Sequence, residues 1–497
     1  MLPFSLPFSM ADLTALGPFV AVLISALGVV LVDLTFDEEK LRERWIFLVG
    51  LAGAVLSASM SLVPGTARPG HTILAGAIYA DPFSNFFDLL LSLLLGLILV
   101  LSWKVLERFA LKPAEFATLT LLAFTGMFLM NRAGDLATLF IAIELMSLPI
   151  YVLVGLSASN RAGREAALKY FVLGSLASAI LLFGMALVYG ATGQLTYAGI
   201  AEVIRHDVVN GMVRHELILS PLLLIGVALV LSGLAFKIAA VPFHMWTPDV
   251  YSGAPTPVTL VMAAAVKAAG SAALLRFVTT PMACGLEHWS GLLVWLAALS
   301  MLLGNVAALR QSNVKRLLAY SSIAHAGYLL LGLLDQGRGG SAFAYYTFLY
   351  ALASLGAFGA LQWFGDRKRE LVEIDDFNGA ARSHPLACVA FTVFLLSLAG
   401  VPPTGGFTAK FFVLSAAVRS GHVGLAILGV MTSLLGMYYY LRLVMAMWMC
   451  EAEAPVPVSA DRSGLWTLAA VAALIVLLGC LPNWLWLNAS VGTAGLV

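Results

Sequence analysis

Apolar residues run along this chain in blocks of about twenty, separated by short polar stretches. A helix needs about 20 such residues to cross a hydrocarbon core of about 30 Å. That ruler marks fourteen segments, near residues 12–34, 45–63, 83–103, 116–132, 135–157, 166–191, 217–243, 255–279, 290–309, 315–334, 342–364, 386–417, 422–449 and 464–486. Connections are short, and the longest, Thr192 to Glu216, has the length of a surface loop. The first block is too long for a signal peptide and no basic stretch precedes it, so a retained first helix is expected. The pattern predicts an all-α polytopic membrane protein with about 14 transmembrane helices.

Composition agrees. Of 497 residues, 61% are hydrophobic and 11% charged, and mean hydropathy is +0.94, too little polar surface to cover a soluble fold. A net charge of +1 argues against a nucleic-acid partner. Cys284, Cys388, Cys450 and Cys480 lack CxxC or metal-ligand spacing, which leaves no disulfide framework, haem site or iron–sulfur site.

Basic residues set the expected orientation. Sixteen fall on one side, among them Lys40, Lys104, Arg164, Arg310 and Arg367–Arg369; seven, including Arg132, Arg214 and Arg276, fall on the other. The richer side is predicted cytoplasmic, with both termini outside. Five basic residues remain inside predicted spans: Lys169, Lys237, Lys267, Lys410 and Arg442.

A lysine at the bilayer centre costs at least about 2.5 kcal/mol, so a set of them demands a reason. Lys267 precedes Arg276 by nine residues, Lys410 precedes Arg419 by nine, and Glu144 follows Asp135 by nine. Each offset is about 13 Å along a helix, close to half a bilayer. His325 lies at a comparable depth beyond Arg316. Lys237 sits in a run from Leu217 to Pro248 that is too long for one straight span, and Pro242 offers a break beside it. Pro402, Pro403, Gly405 and Gly406 repeat the device before Lys410. Such interruptions are tolerated only against protein or water, and two of them, each with a lysine, match the ion paths of secondary transporters.

Other readings stay open for some residues. Lys169 either snorkels while pairing with Glu165 or takes part in transport, and Arg442 is best explained by snorkelling. His244 and Asp249 are candidate helix caps. Glu144 can neutralise only one of three lysines, which disfavours a purely static ion pair. Moving one charge across 100 mV takes about 2.3 kcal/mol, within reach of coupled buried groups. No Walker A motif, dinucleotide fingerprint or soluble domain supplies the energy, so a partner or an ion gradient must.

Four stretches carry a resemblance: REAALKYFVLGSLASAILLFGMALVYGATG (Arg164–Gly193), GLAFKIAAVPFHMWTPDVYSGAPTPVTLVMAAAVKAAG (Gly233–Gly270), NVKRLLAYSSIAHAGYLLLG (Asn313–Gly332) and LAGVPPTGGFTAKFFVL (Leu398–Leu414). They closely resemble the subunit N family of bacterial NADH-quinone oxidoreductase, respiratory complex I, and DPFSNFFD (Asp81–Asp88) resembles that family's third helix. The resemblance implies two inverted five-helix repeats, helices 4–8 and 9–13, with the seventh and twelfth helices broken. The corresponding regions are residues 1–115, 116–280, 281–450 and 451–497. It implies proton translocation with Glu144 and Lys237 as a coupled pair, Lys267 and His325 as central relay, Lys410 as terminal exchange site and Lys169 as a contributor. It also implies a bacterial inner-membrane location and a subunit of an NADH:quinone translocase with no redox chemistry of its own. FMN, iron–sulfur clusters and quinone would lie on other subunits, and neighbours would include antiporter-like subunit M, small subunit K and membrane lipids. A lysine rather than a glutamate at position 410, and a chain ending soon after the last span, separate this sequence from subunits M and L. The alternative is a cation/proton antiporter subunit of the Mrp type, to which EAALKYFVLG and PDVYSGAPTPVT are less similar.

Overall fold

The computed structural model describes residues 14–63, 67–157, 161–209, 220–366, 370–451, 456–459 and 461–496. Residues 12–13 and 217–219 of the expected spans, and Arg214, Arg367, Lys368 and Arg369, lie outside them. The described chain is an all-α, multi-spanning bundle with thirteen helices long and apolar enough to cross a membrane. In such helices every interior backbone donor finds its acceptor within the segment, which is why a chain this apolar folds this way in lipid.

The first three spans are α1 (Gly17–Thr35), α2 (Glu39–Ser61) and α3 (Pro82–Ser102). They are followed by α4 (Pro113–Arg132), α5 (Leu136–Gly155) and α6 (Arg161–Thr192). Polar residues start them: Asp81 accepts from the Ser84 amide at 2.9 Å and Asp135 from the Thr138 amide at 2.5 Å. A β-carbon on Gly126 would meet the Met146 backbone nitrogen at 2.3 Å, so glycine lets α4 approach the helix that carries Glu144.

The stretch expected as a surface loop after α6 contains a further helix, α7 (Tyr197–Val209). Tyr197, Ile200 and Ile204 are buried at helical spacing, an apolar stripe that sheer loop length concealed. Then come α8 (Pro221–Ile238), the short α9 (Trp246–Gly253) and α10 (Thr256–Thr279), which contains a π-helical turn at Met262–Val266. Next are α11 (Leu286–Ala308), α12 (Val314–Leu330) and α13 (Gly339–Trp363). The expected twelfth span resolves into α14 (Pro385–Ala399) and α15 (Gly405–Arg419), each 15 residues and about 22 Å long. The chain continues through α16 (Val423–Met449) and α17 (Arg462–Cys480) to α18 (Asn483–Thr493).

Burial ranks the helices. The most apolar windows of α10 and α13 are wholly buried, whereas those of α1, α2 and α17 are only one-third buried. With α12, which is nearly as enclosed, α10 and α13 form the centre of the bundle, and this centre holds Lys267 and His325.

Two arginines expected at the outer ends of spans are instead buried in ion pairs. Arg276 binds both oxygens of Asp81, at 2.7 and 2.9 Å, and Arg132 binds Asp88. Asp81 and Asp88 stand seven residues apart, two turns of α3, so one helix face neutralises both arginines. Arg442 donates to the carbonyls of Leu309 and Gln311, just beyond the end of α11, where a cation is favoured.

Candidate functional site

Two helix ends frame the site. At the end of α8, Ala239 adopts a left-handed conformation (φ +60°) and the Ala240 amide donates back to the Ala235 carbonyl at 2.9 Å. Helix resumes at Trp246, whose indole N–H donates to the Phe236 carbonyl at 3.2 Å. At the end of α14, Gly400 is left-handed (φ +84°) and the Val401 amide donates to Leu396 at 3.0 Å. Helix resumes at Gly405. Both connections contain a cis prolyl bond, Val241–Pro242 and Pro402–Pro403.

Lys237, in the last turn of α8, is 1% exposed and its ammonium donates to the Ser147 hydroxyl at 2.8 Å. Ser147 in turn donates to the Ile143 carbonyl at 2.5 Å. Glu144, one turn before Ser147 on α5, is half-buried and accepts from Ser178 of α6 at 2.5 Å. Glu144 and Lys237 therefore flank the same turn of α5 but make no direct ion pair.

Lys267 follows the π turn of α10, a backbone irregularity common at functional sites. Its ammonium donates to the Ser322 carbonyl of α12 at 2.6 Å and stands 5.8 Å from the centre of the Tyr350 ring. His325, one turn after Ser322, shares hydrogen bonds with Tyr346 through Nδ1 (2.6 Å) and with Tyr440 through Nε2 (3.3 Å). Tyr440 also bonds Ser321. Lys410 of α15 donates to the Ala399 carbonyl and the Ser433 hydroxyl, both at 2.8 Å, and lies 4.9 Å from the centre of the Tyr328 ring.

These three ammonium groups share one property: each is buried and held by hydroxyl or carbonyl oxygens, with no carboxylate among its hydrogen-bond partners. A charge so placed gains hydrogen bonds but lacks the counter-ion that would fix it. Lys169 differs. It is 44% exposed, pairs with Glu165 and Asp249 at 2.9 Å each, and Asp249 also binds Arg316 at 3.0 Å. Asp249 is thus an ion-pair hub rather than a helix cap, and Lys169 belongs to a half-exposed charge network apart from the buried row.

Sequence reasoning missed the hydroxyls that hold the row: Ser147, Ser178, Ser321, Ser433, Tyr346 and Tyr440. Their signal is weak because serine and tyrosine are ordinary in apolar helices. Only AYSSIAHAGY offered a clue, since Ser321, Ser322 and Tyr328 lie four before, three before and three after His325, on one helix face. Among the described residues no group of three or more histidine, cysteine, aspartate or glutamate residues is placed to hold a metal ion.

Residues 133–436 match the transmembrane family described as NADH:quinone oxidoreductase/Mrp antiporter. The chain is 40% identical over 450 residues to NADH-quinone oxidoreductase subunit N of Trichlorobacter lovleyi, covering 90% of this chain and 89% of that one. The chain belongs to the NADH-quinone oxidoreductase subunit N family. A chain in the structure of respiratory complex I from Thermus thermophilus with bound aureothin matches this family member at 34% identity and a TM-score of 0.78, over 94% of this chain and 98% of that chain. A chain of the Mrp complex from Dietzia sp. superposes with a TM-score of 0.81 at 23% identity, over 98% of this chain and 97% of that chain, a likeness of fold alone. Subunit N membership covers the helices that carry Glu144, Lys237, Lys267, His325 and Lys410, all within the matched family region.

Proposed function

We propose that the row Glu144, Lys237, Lys267, His325 and Lys410 carries protons through this chain. The chain is a membrane-arm subunit of a complex-I-like proton translocase, driven by NADH:quinone electron transfer elsewhere in the complex. The observation that carries the proposal is the set of three buried lysines bound only by neutral oxygens. A static ion pair needs a carboxylate in contact; a group that takes up and releases a proton needs a neighbour that suits either state, and hydroxyl and carbonyl oxygens do, since ammonium and neutral amine both keep N–H bonds to donate.

In this reading Glu144 and Lys237 act as a coupled pair across Ser147, Lys267 and His325 as the central relay, and Lys410 as the terminal exchange site. Lys169, through Asp249 and Arg316, contributes at one end. The breaks after Ile238 and Ala399 make the seventh and twelfth helices discontinuous. The region boundaries follow as 1–115, then two inverted five-helix repeats at 116–280 and 281–450, then 451–497. Both termini lie outside the cytoplasm of a bacterial inner membrane. Membrane-embedded partner subunits surround the chain, with antiporter-like subunit M and small subunit K as neighbours, while FMN, iron–sulfur clusters and quinone reside on other subunits.

Lys237→Ala or Glu144→Ala should leave the complex assembled and cut NADH-driven proton pumping. The reading is overturned by full pumping in both variants.

A further inference from the structure

No direct hydrogen bond joins Lys267 to His325: the lysine is bound to the Ser322 carbonyl, and both imidazole nitrogens are taken by Tyr346 and Tyr440. A proton moving between them needs an intermediate group. Tyr350 stands there. Its ring centre is 5.8 Å from the Lys267 ammonium and 5.0 Å from the centre of the His325 ring. It is buried, and its hydroxyl has no hydrogen-bond partner, although the Ser322 and Ser354 side chains are its polar neighbours. Tyr350 and His325 also line a cavity of about 10 Å³ together with Tyr346 and Ser397, room for about one water. Ser397 accepts from the Gly406 amide at 3.1 Å, so this cavity reaches the connection that precedes Lys410.

We propose that the Tyr350 hydroxyl, with a water in this cavity, passes protons between Lys267 and His325. The Tyr350 oxygen accepts a proton on a lone pair from the Lys267 ammonium as its own proton leaves through the cavity water to the Tyr346 oxygen, whose proton passes to His325 Nδ1. Rotation about the C–O bond then restores the starting state. One O–H bond forms as another breaks, and no tyrosinate accumulates. A buried hydroxyl with only loose contacts to Ser322 and Ser354 gives little to the fold, since phenylalanine would fill the same space at small polar cost.

That last point makes the test sharp. The proposal rests on the proton-carrying row of the preceding section, so Lys237→Ala is measured beside Tyr350→Phe in the intact complex. Tyr350→Phe should assemble at wild-type level, slow NADH-driven pumping by roughly fivefold, the loss of one hydrogen bond from the path, and raise the solvent deuterium isotope effect. Unchanged pumping and isotope effect in Tyr350→Phe, with pumping lost in Lys237→Ala, overturn the role of Tyr350 alone. Unchanged pumping in both overturns the row itself. If Tyr350→Phe fails to assemble, 3-fluorotyrosine at position 350 keeps the shape and alters only hydroxyl acidity; a pumping rate and solvent isotope effect identical to wild type then reject the proposal.

Discussion

The connection after α8 and the connection after α14 end their helices in the same way, with a left-handed residue and a backward amide bond, yet they use their lysines differently. In the first, the Phe236 carbonyl accepts from the Ala239 amide and from the Trp246 indole, and Lys237 points away to Ser147. In the second, the Lys410 ammonium itself takes the Ala399 carbonyl. Backbone repair and the proposed proton handling are thus separate at the first connection and fused at the second. Glycine reflects the same difference. A β-carbon on Gly400 would meet the Lys410 Cδ at 2.7 Å, whereas Ala239 already carries one.

The contrast can be broken by substitution. Lys410→Met should produce the largest effect, loss of pumping together with a destabilisation of about 1 kcal/mol, because the Ala399 carbonyl loses a charged donor and keeps only the Ser433 hydroxyl at 3.3 Å. Lys237→Met should lose pumping with less damage to stability, since Ser147 keeps its bond to Ile143. Thermal unfolding of the purified complex beside proton-pumping assays separates the two, and equal destabilisation would erase the distinction. Gly400→Ala comes next: a left-handed alanine costs about 1 to 2 kcal/mol, and the added methyl displaces Lys410, so pumping should fall as well. Its counterpart Ala239→Gly should be within about 1 kcal/mol of neutral, on the stabilising side, and should pump normally. The smallest effect belongs to Trp246→Phe, which removes one of two donors to the Phe236 carbonyl and leaves the Ala239 amide at 3.1 Å; about 1 kcal/mol or less is expected with pumping retained. A severe pumping defect there would mean that the first connection also couples its backbone to the proton.

What could be read before the structure follows from the cost of charge in lipid. Lys237, Lys267, Lys410, Glu144 and His325 stood out because ionisable residues in apolar runs are rare, and the prolines located the helix ends within a few residues. Two things stayed hidden. One is partnership: the lysines bind oxygens on helices up to 90 residues away in the chain, and one-dimensional spacing carries no record of that. The other is burial near helix ends. Arg132 and Arg276 read as surface charges because they close spans, and only the fold brings Asp88 and Asp81 against them. Lys169 shows the converse, a charge inside an expected span that lies half-exposed in an ion-pair network.

The wide turn at Met262–Val266 immediately precedes Lys267. Viewed as genetic text, it amounts to one surplus codon in an otherwise regular helix. Each residue of a helix advances about 100° around its axis, so trimming that codon would straighten the helix and swing Lys267 by about that angle relative to everything before it. The ammonium would then no longer face the Ser322 carbonyl. The irregularity is the registration mark that aims this lysine, and a shorter, tidier helix would aim it at nothing.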